Sequence, residues 1–264
     1  YSFKKGKSQE DYPSSLMGSI ALLRQTYYDA KWYQSNLADE YNISLDAFNS
    51  TQSLPQFFDA TDYLTVLRAD KVGDEFGKQY FFKGNGDEYK RIKEIKNTNG
   101  KFIIPVNYPK AFDVEDPYDA LLISLEDMKH WELAPTNANA LYTNQIEFAF
   151  TSDGLENKKD FLKNIKKAIE NGLPANVAIN ALTKIPAQFI NAQDKVGTLD
   201  DGKLANFIIT SDSLFADECK IYENWVVGKR MVVEDFTLPD ITGNYSLNIN
   251  GKVFKLTVKG KEPS

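Results

Sequence analysis

Hydrophobic positions in the first half of the chain predict helices and short strands in alternation. Over residues 14–41, Leu16, Ile20, Leu23 and Tyr27 recur at near-helical spacing, which predicts one long helix capped by Ser14 or Ser15. Four short apolar runs favour strands at 54–59, 79–83, 101–106 and 146–151, and helical patterns lie between them at 64–76, 87–96, 124–130 and 137–142. This alternation indicates parallel strands joined by helical crossovers, as in a TIM barrel or a doubly wound sheet.

The pattern changes after Asp153. Two helices are predicted in succession, and strand signals begin at Gly197, with Gly228-Lys229 as a tight turn and Asn250-Gly251 at the centre of a hairpin. The predicted helices are 157–171 and 174–189, and the predicted strands are 197–199, 206–210, 220–227 and 229–233. We therefore expect a barrel portion over 1–195, strands of a composite β-sandwich over 196–238, and a hairpin over 239–264 that is a candidate start of a further domain.

Composition excludes some partners. With 264 residues the chain is long enough for one large α/β domain, and 42% hydrophobic and 26% charged residues are ordinary for a globular protein. A net charge of −6 gives no reason to expect binding to the phosphates of nucleic acids. No apolar run approaches the roughly 20 residues that span a bilayer. We expect neither a nucleic-acid partner nor a transmembrane segment.

Histidine and cysteine are nearly absent. His130 is the only histidine and Cys219 the only cysteine, so the chain by itself cannot build a histidine-rich metal centre or an internal disulfide. His130 stands beside Trp131 at the end of a predicted helical piece, away from any strand end. We therefore expect it to be an ordinary packing or surface residue rather than a metal ligand.

The second half of the chain carries a specific succession of motifs. A strand ends at Ser152-Asp153-Gly154, two helices follow, and the segment KVGTLDDGKLANFII (195–209) leads to a hairpin at 222–230. This order resembles the end of the amidohydrolase superfamily, especially its imidazolonepropionase-like members, in which a stretch like 181–187 precedes the return to a small β-sandwich. The resemblance spans about residues 12–235. It implies an α/β fold with a TIM-barrel-like parallel sheet, incomplete in this chain, followed by a small antiparallel module.

The resemblance also implies chemistry. Such proteins are metal-dependent hydrolases of non-peptide C–N bonds, with one or two divalent metals, zinc being suited to their imidazole ligands, at the carboxyl ends of the barrel strands. The bound metal lowers the pKa of water to about 7, so that hydroxide attacks a carbonyl. Their ligands are a His-x-His pair, histidines on middle strands and an aspartate on the last strand. Only the aspartate matches, as Asp153, which is the candidate catalytic residue and metal ligand.

Two positions depart from the family pattern. Lys83 stands where a middle-strand histidine is expected, and Asn107 follows the strand where the next one would be. An ammonium at Lys83 would repel a divalent cation unless its proton were lost. With Asn85 they form the expected pocket. The His-x-His pair would lie upstream of Tyr1, so we expect a missing amino-terminal segment or a partner chain to complete the barrel.

Several motifs have two interpretations. Asp153 is either a site residue or a turn residue before glycine. The Gly84-Asn-Gly-Asp87 segment is a simple βα turn rather than a phosphate cradle, and the acids after the third strand form a solvated loop rather than a calcium site. Those acids are Asp113, Glu115, Asp116 and Asp119. The spacing of the tyrosines near the amino terminus favours helix packing over a ligand pocket; they are Tyr12, Tyr27, Tyr28 and Tyr33. The lysines of the 157–171 helix are expected to form its solvated face; they are Lys158, Lys159, Lys163, Lys166 and Lys167.

The sequence leaves two main hypotheses of function. The first is an amidohydrolase-like protein that hydrolyses C–N bonds of an unknown small molecule, degenerate in this chain, with zinc if active and no metal otherwise. The alternative is a non-catalytic barrel segment, a pseudoenzyme that scaffolds or binds ligand beside an active paralogous segment. A third interpretation makes the terminal hairpin a docking element. The absent initial methionine and the family habit favour a secreted or periplasmic location.

Overall fold

The computed structural model describes residues 1–4, 10–35, 40–234 and 242–259. The chain divides into two compact units, Tyr1–Leu204 and Ala205–Ser264. The helices of the first unit are α1 (Leu16–Gln34), α2 (Ile43–Ser50), α3 (Tyr63–Glu75), α4 (Ile92–Asn97), α5 (Pro117–Leu122), α6 (Leu125–Leu133), α7 (Asn137–Thr143), α8 (Phe161–Glu170), α9 (Ala175–Leu182) and α10 (Lys184–Phe189). Its strands are β1 (Gln56–Asp59), β2 (Tyr80–Lys83), β3 (Lys101–Pro105) and β4 (Phe148–Thr151). Short 3-10 turns cover Glu88–Arg91, Ala134–Thr136 and Lys158–Asp160.

The four strands form one parallel sheet in the order β1-β2-β3-β4. This confirms the predicted α/β class with a parallel sheet, whereas closure of a barrel stays a prediction. A row of phenylalanines fixes the register, because Phe58, Phe82, Phe102 and Phe148 are cross-strand partners and all are buried. Because the strands are parallel and these four residues lie side by side, the carboxyl ends of all four strands lie at one edge of the sheet.

Helix packing accounts for the tyrosines near the amino terminus. Ser15 caps α1, accepting from the backbone N of Gly18 at 3.1 Å. Tyr27 is buried, its ring stacks on Phe76 with centroids 4.6 Å apart, and its hydroxyl lies 2.8 Å from that of Tyr80. The packing interpretation is therefore confirmed for Tyr27, which attaches α1 to the sheet.

Several predictions in the first unit differ from the structure, including the helix predicted at 174–189, which is divided into α9 and α10 at Thr183. The helix predicted to reach residue 41 ends at Gln34; residues 36–39 lie outside the described part, and Asn42 then caps the unpredicted α2. Helix α5 was also not predicted, although Asp116 caps it and Pro117 occupies its first turn, a pairing typical of helix starts. The prediction of a strand at 197–199 was wrong. Gly197 adopts φ +99° in an irregular segment that packs closely against Thr183.

The second unit is antiparallel where described. Strands β5 (Phe207–Thr210), β6 (Ile221–Val226) and β7 (Lys229–Val232) form one sheet, and β8 (Gly243–Ile249) with β9 (Lys252–Val258) forms a hairpin. The hairpin turn at Asn250-Gly251 is confirmed. The β6-β7 turn is Val227-Gly228, not Gly228-Lys229, since these two residues take the positive φ values that this turn needs. The three-part division stays a prediction, and residues 235–241 and 260–264 lie outside the described range.

Asp70 on α3 gives the first unit a predicted pH dependence. Burial, with a smaller contribution from the charge of Asp74, raises the pKa of Asp70 to about 6, from 3.8. A carboxyl with a higher pKa in the folded state contributes stability that is lost as pH rises from about 4 to 6. Asp70→Asn should therefore leave urea stability unchanged near pH 4 and raise it by about 1 kcal/mol near pH 7.5, with allowance for partial solvent screening. Asp74→Asn is the control, for which we expect a smaller gain in stability near pH 7.5. An equal gain in stability for Asp70→Asn at both pH values would contradict a raised pKa of Asp70.

Candidate functional site

A cluster of three charged side chains lies at the carboxyl edge of the parallel sheet. Asp59 is the last residue of β1, Lys83 is the last residue of β2, and Asp153 follows β4. The ammonium nitrogen of Lys83 lies 2.6 Å from Oδ2 of Asp153 and 3.3 Å from Oδ1 of Asp59. Lys4 approaches the other oxygen of Asp59 at 3.8 Å. The sheet register causes the contact between Lys83 and Asp59, because these two residues are cross-strand partners.

Electrostatics keep both members of the shorter pair charged. The hydrogen bond to Asp153, opposed by partial burial and aided by Asp59, raises the pKa of Lys83. The same hydrogen bond and the charge of Lys83 lower the pKa of Asp153. At neutral pH the cluster therefore holds an ammonium between two carboxylates. The side chains are 36% exposed for Lys83 and 58% for Asp153, so water screens the pair and it adds little to stability.

Asn107 reaches the same edge from the segment after β3. Its side chain packs so closely on Gly154 that a Cβ at position 154 would overlap its Nδ2 atom. Gly154 also adopts φ +74°, a conformation that glycine takes at little cost. The segment after β3 and the segment after β4 can approach each other here only because residue 154 has no side chain.

The turn after Lys83 is built on a buried carboxyl. Glu88 is fully buried, and its Oε1 accepts from the backbone N of Asn85 at 3.1 Å and of Gly86 at 3.4 Å. Its Oε2 accepts from Nδ2 of Asn137 at 2.6 Å. Because Glu88 takes up these turn amides, the structure supports the βα turn rather than the phosphate cradle. Burial raises the pKa of the Glu88 carboxyl.

The structure brings together some of the predicted site residues. Lys83 and Asp153 are in direct contact, and Asn107 packs against the neighbouring Gly154. Asn85 is exposed, and its backbone N, not its side chain, donates to Glu88. The sequence did not single out Asp59. The signal for it was its position at the end of a predicted strand, which a parallel register places beside the end of the next strand.

The donors present do not fit a zinc ion. Within the described ranges, no three side chains of His, Cys, Asp or Glu are grouped so that they could hold a metal. Asp153 already binds the ammonium of Lys83, whose raised pKa makes loss of its proton unfavourable. A divalent cation at this edge would meet a fixed positive charge. In the described part of the chain, the acids of the loop after β3 likewise form no group of three that could hold calcium: Asp113 accepts from the backbone N of Glu115, and Asp116 caps α5.

His130 is a packing residue, as predicted. It lies in the last turn of α6, its ring stacks on Tyr89 at 6.1 Å, and its Nδ1 is 3.0 Å from the Tyr89 hydroxyl. Burial lowers the pKa of His130, which favours the neutral ring. These contacts hold α6 against the turn that follows Glu88.

Beside the cluster, a groove of about 1050 Å³ separates the segment after β3 from α8. The segment after β3 and helix α6 contribute aromatic side chains, α8 contributes lysines, and Asn107 and Gly154 come from the segments that follow β3 and β4. Asp59, Lys83 and Asp153 do not line it. The aromatic residues are Tyr108, Phe112 and Trp131, and the lysines of α8 are Lys163 and Lys167.

Comparison with known families supports the resemblance in the second half of the chain. Residues 135–254 match the model of the Amidohydrolase family. The amidohydrolase match includes Asp153 and the elements from α7 to β8, but neither Lys83 nor Asp59, and it covers less than half of the chain. The comparison with curated proteins found no match.

Solved amidohydrolase structures share the fold. An amidohydrolase from Thermotoga maritima MSB8 superposes with a TM-score of 0.66 at 17% identity, covering 83% of this chain and 56% of its own. A second amidohydrolase gives a TM-score of 0.53 at 13% identity, with 88% and 65% covered. A prolidase complexed with N-methylphosphonate-L-proline gives 0.50 at 11% identity, with 87% and 65% covered. The chain thus spans less than two thirds of each of these structures, and the imidazolonepropionase-like subtype stays a prediction.

Among the described residues, none of the helices combines the length and the apolar character needed to cross a membrane.

Proposed function

We propose that this chain is a degenerate amidohydrolase-type domain, related to hydrolases of non-peptide C–N bonds, whose strand-end site binds a small molecule without activating water on a metal. The observation that carries the proposal is the ammonium of Lys83 held between Asp59 and Asp153. The family match over 135–254 and the fold shared with solved amidohydrolases support the relationship. The catalytic and metal-binding roles of Asp153 remain predictions.

The chemistry of the cluster explains the proposed loss of activity. A metal-activated water needs a cation that its ligands hold and that lowers the pKa of the water. Here the positive charge is an ammonium with a raised pKa, which cannot coordinate a water as a metal ion does. The cluster can instead offer a ligand one ammonium donor and two carboxylate acceptors, which suits binding of a polar small molecule.

Zinc binding tests the proposal. The purified protein is dialysed against zinc, and bound metal is measured for the wild type, Asp153→Ala and Lys83→His. We expect the wild type and Asp153→Ala to retain equally little zinc. Lys83→His should retain more, because it removes the positive charge and adds an imidazole beside two carboxylates.

Lys101→His is the matched control. Lys101 pairs with Glu147 at 2.6 Å at the opposite end of the sheet, so this variant adds an imidazole beside a single carboxylate. A hydrolysis screen with hydantoin, dihydrouracil and a dipeptide ending in proline accompanies the metal analysis; the dipeptide is included because a prolidase is among the structural neighbours. One equivalent of zinc in the wild type that Asp153→Ala loses, together with turnover, would overturn the proposal and support an active hydrolase.

A further inference from the structure

The groove beside the strand-end cluster has a composition that the proposed function does not use. We infer that it binds a small molecule that carries an aromatic ring and a carboxylate. Its volume of about 1050 Å³ lies just above the range of ordinary small-molecule pockets, which measure roughly 300–1,000 Å³. The inference concerns α8 and the segment after β3, and it holds whether or not the Lys83 cluster binds metal.

Aromatic side chains on one wall account for the ring. Phe112 is 38% exposed and Trp131 is 42% exposed, although both line a concave surface. Large aromatic side chains that remain accessible in a concavity offer stacking area at low entropic cost. Tyr108 lies deeper, and burial raises the pKa of its phenol, so it adds no negative charge to the groove. This wall therefore suits a planar apolar group.

Two lysines of α8 account for the carboxylate. Lys163 and Lys167 lie four residues apart on α8, which places them on one face of the helix. Neither forms an ion pair within the described part of the chain, and the ammonium of Lys167 lies 5.6 Å from the ring centre of Tyr108. A ligand whose ring stacks on the aromatic wall would thus place an anionic group within reach of two ammonium groups.

Two of the three acidic side chains that line the groove lie beside a compensating positive charge or helix dipole. Glu156 pairs with Lys110 at 2.8 Å, and Asp113 accepts from the backbone N of Glu115 at 3.2 Å. Asp160 directly precedes α8, where the positive end of the helix dipole compensates its charge. The two lysines of α8 therefore leave the interior of the groove able to favour an anion over a cation.

Contacts between the walls hold the groove in shape. Asn164 of α8 donates through Nδ2 to the backbone O of Val106 at 2.7 Å, which attaches the helix to the end of β3. The pair of Lys110 and Glu156 also joins the segments after β3 and β4, but its side chains are 79% and 81% exposed, so water screens it and it adds little to this rigidity. A site formed before the ligand arrives loses less conformational entropy on binding.

Calorimetric titration with a charge series tests the inference. The probes are 3-phenylpropionate, 3-phenylpropanol, 3-phenylpropylammonium and hexanoate, with the whole protein in the cell. We expect 3-phenylpropionate to bind about tenfold more tightly than the alcohol or hexanoate, because it alone combines ring and anion. The ammonium probe should bind most weakly. Equal affinity for 3-phenylpropionate and 3-phenylpropanol, or no binding of any probe, would overturn the inference.

Variants separate the two walls. Lys163→Gln combined with Lys167→Gln, and separately Trp131→Ala, should each weaken 3-phenylpropionate binding about tenfold. Lys93→Gln is the control, since Lys93 is exposed on α4 and forms no ion pair among the described residues. Lysine variants that behave like this control would contradict the inference.

The source of the carboxylate is tested with the peptide Ala-Ala-Phe. Tighter binding of this peptide than of 3-phenylpropionate would assign the groove to aromatic peptide ends, and weaker binding would assign it to free aryl acids. Both results agree with a ligand that carries an aromatic ring and a carboxylate. Zinc retention is measured separately, so this inference and the proposed function can fail independently.

Discussion

Replacing Glu88 with alanine is expected to lower the free energy of unfolding of the first unit by about 3 kcal/mol. The fully buried carboxyl accepts from two turn amides and from Asn137, and alanine removes the acceptor of all three donors, of which the Asn137 side chain is buried. Urea unfolding followed by tryptophan fluorescence measures the change. A Trp225→Phe background restricts the signal to Trp32 and Trp131, which both belong to the first unit.

Two comparisons isolate the carboxyl of Glu88. Glu94→Ala on α4 removes an exposed acid of the same charge and should change stability by less than about 0.5 kcal/mol. Gly84→Ala should destabilise the wild type, because its Cβ would overlap Oε1 of Glu88, but should cost far less in the Glu88→Ala background. A loss below about 1 kcal/mol for Glu88→Ala, or equal costs of Gly84→Ala in both backgrounds, would show that the carboxyl does not support the turn.

Gly154→Ala is expected to cost about 2–3 kcal/mol and to weaken binding in the groove. An alanine at position 154 would have to adopt φ +74°, and its Cβ would overlap Nδ2 of Asn107. We expect this overlap to force the segments after β3 and β4 apart. Urea unfolding measures the stability, and titration with 3-phenylpropionate measures the groove.

Gly202→Ala is the matched control for Gly154→Ala. Gly202 adopts a similar φ of +85°, but a Cβ there would meet no atom within 4 Å, so only the backbone cost of about 1 kcal/mol remains. Adding Asn107→Ala to Gly154→Ala should recover the difference, because it removes the overlapping amide. If Gly154→Ala costs no more than the control, the contact between the two segments has no energetic role.

The strand-end site was partly predictable. Lys83 ends one predicted strand and Asp153 follows another, and the resemblance to amidohydrolases implied that both belong to one site. Parallel strands bring their carboxyl ends to one edge of a sheet, which agrees with this expectation. Asp59 ends a predicted strand in the same way but matches no family motif, and its contact with Lys83 depends on the register that the phenylalanine row fixes. Glu88 was not predicted as a buried residue, because an acid in the first turn of a helix is ordinarily exposed.

By itself the sequence determined the four parallel strands, the terminal hairpin and the scarcity of histidine, since these depend on local periodicity, turn chemistry and composition. Only the tertiary structure decided which charges meet. Hydrophobic periodicity shows which face of α8 is polar, but not that Lys163 and Lys167 on this face line the same groove as Trp131. Side-chain proximity between distant segments depends on packing of the whole unit, which no local pattern encodes.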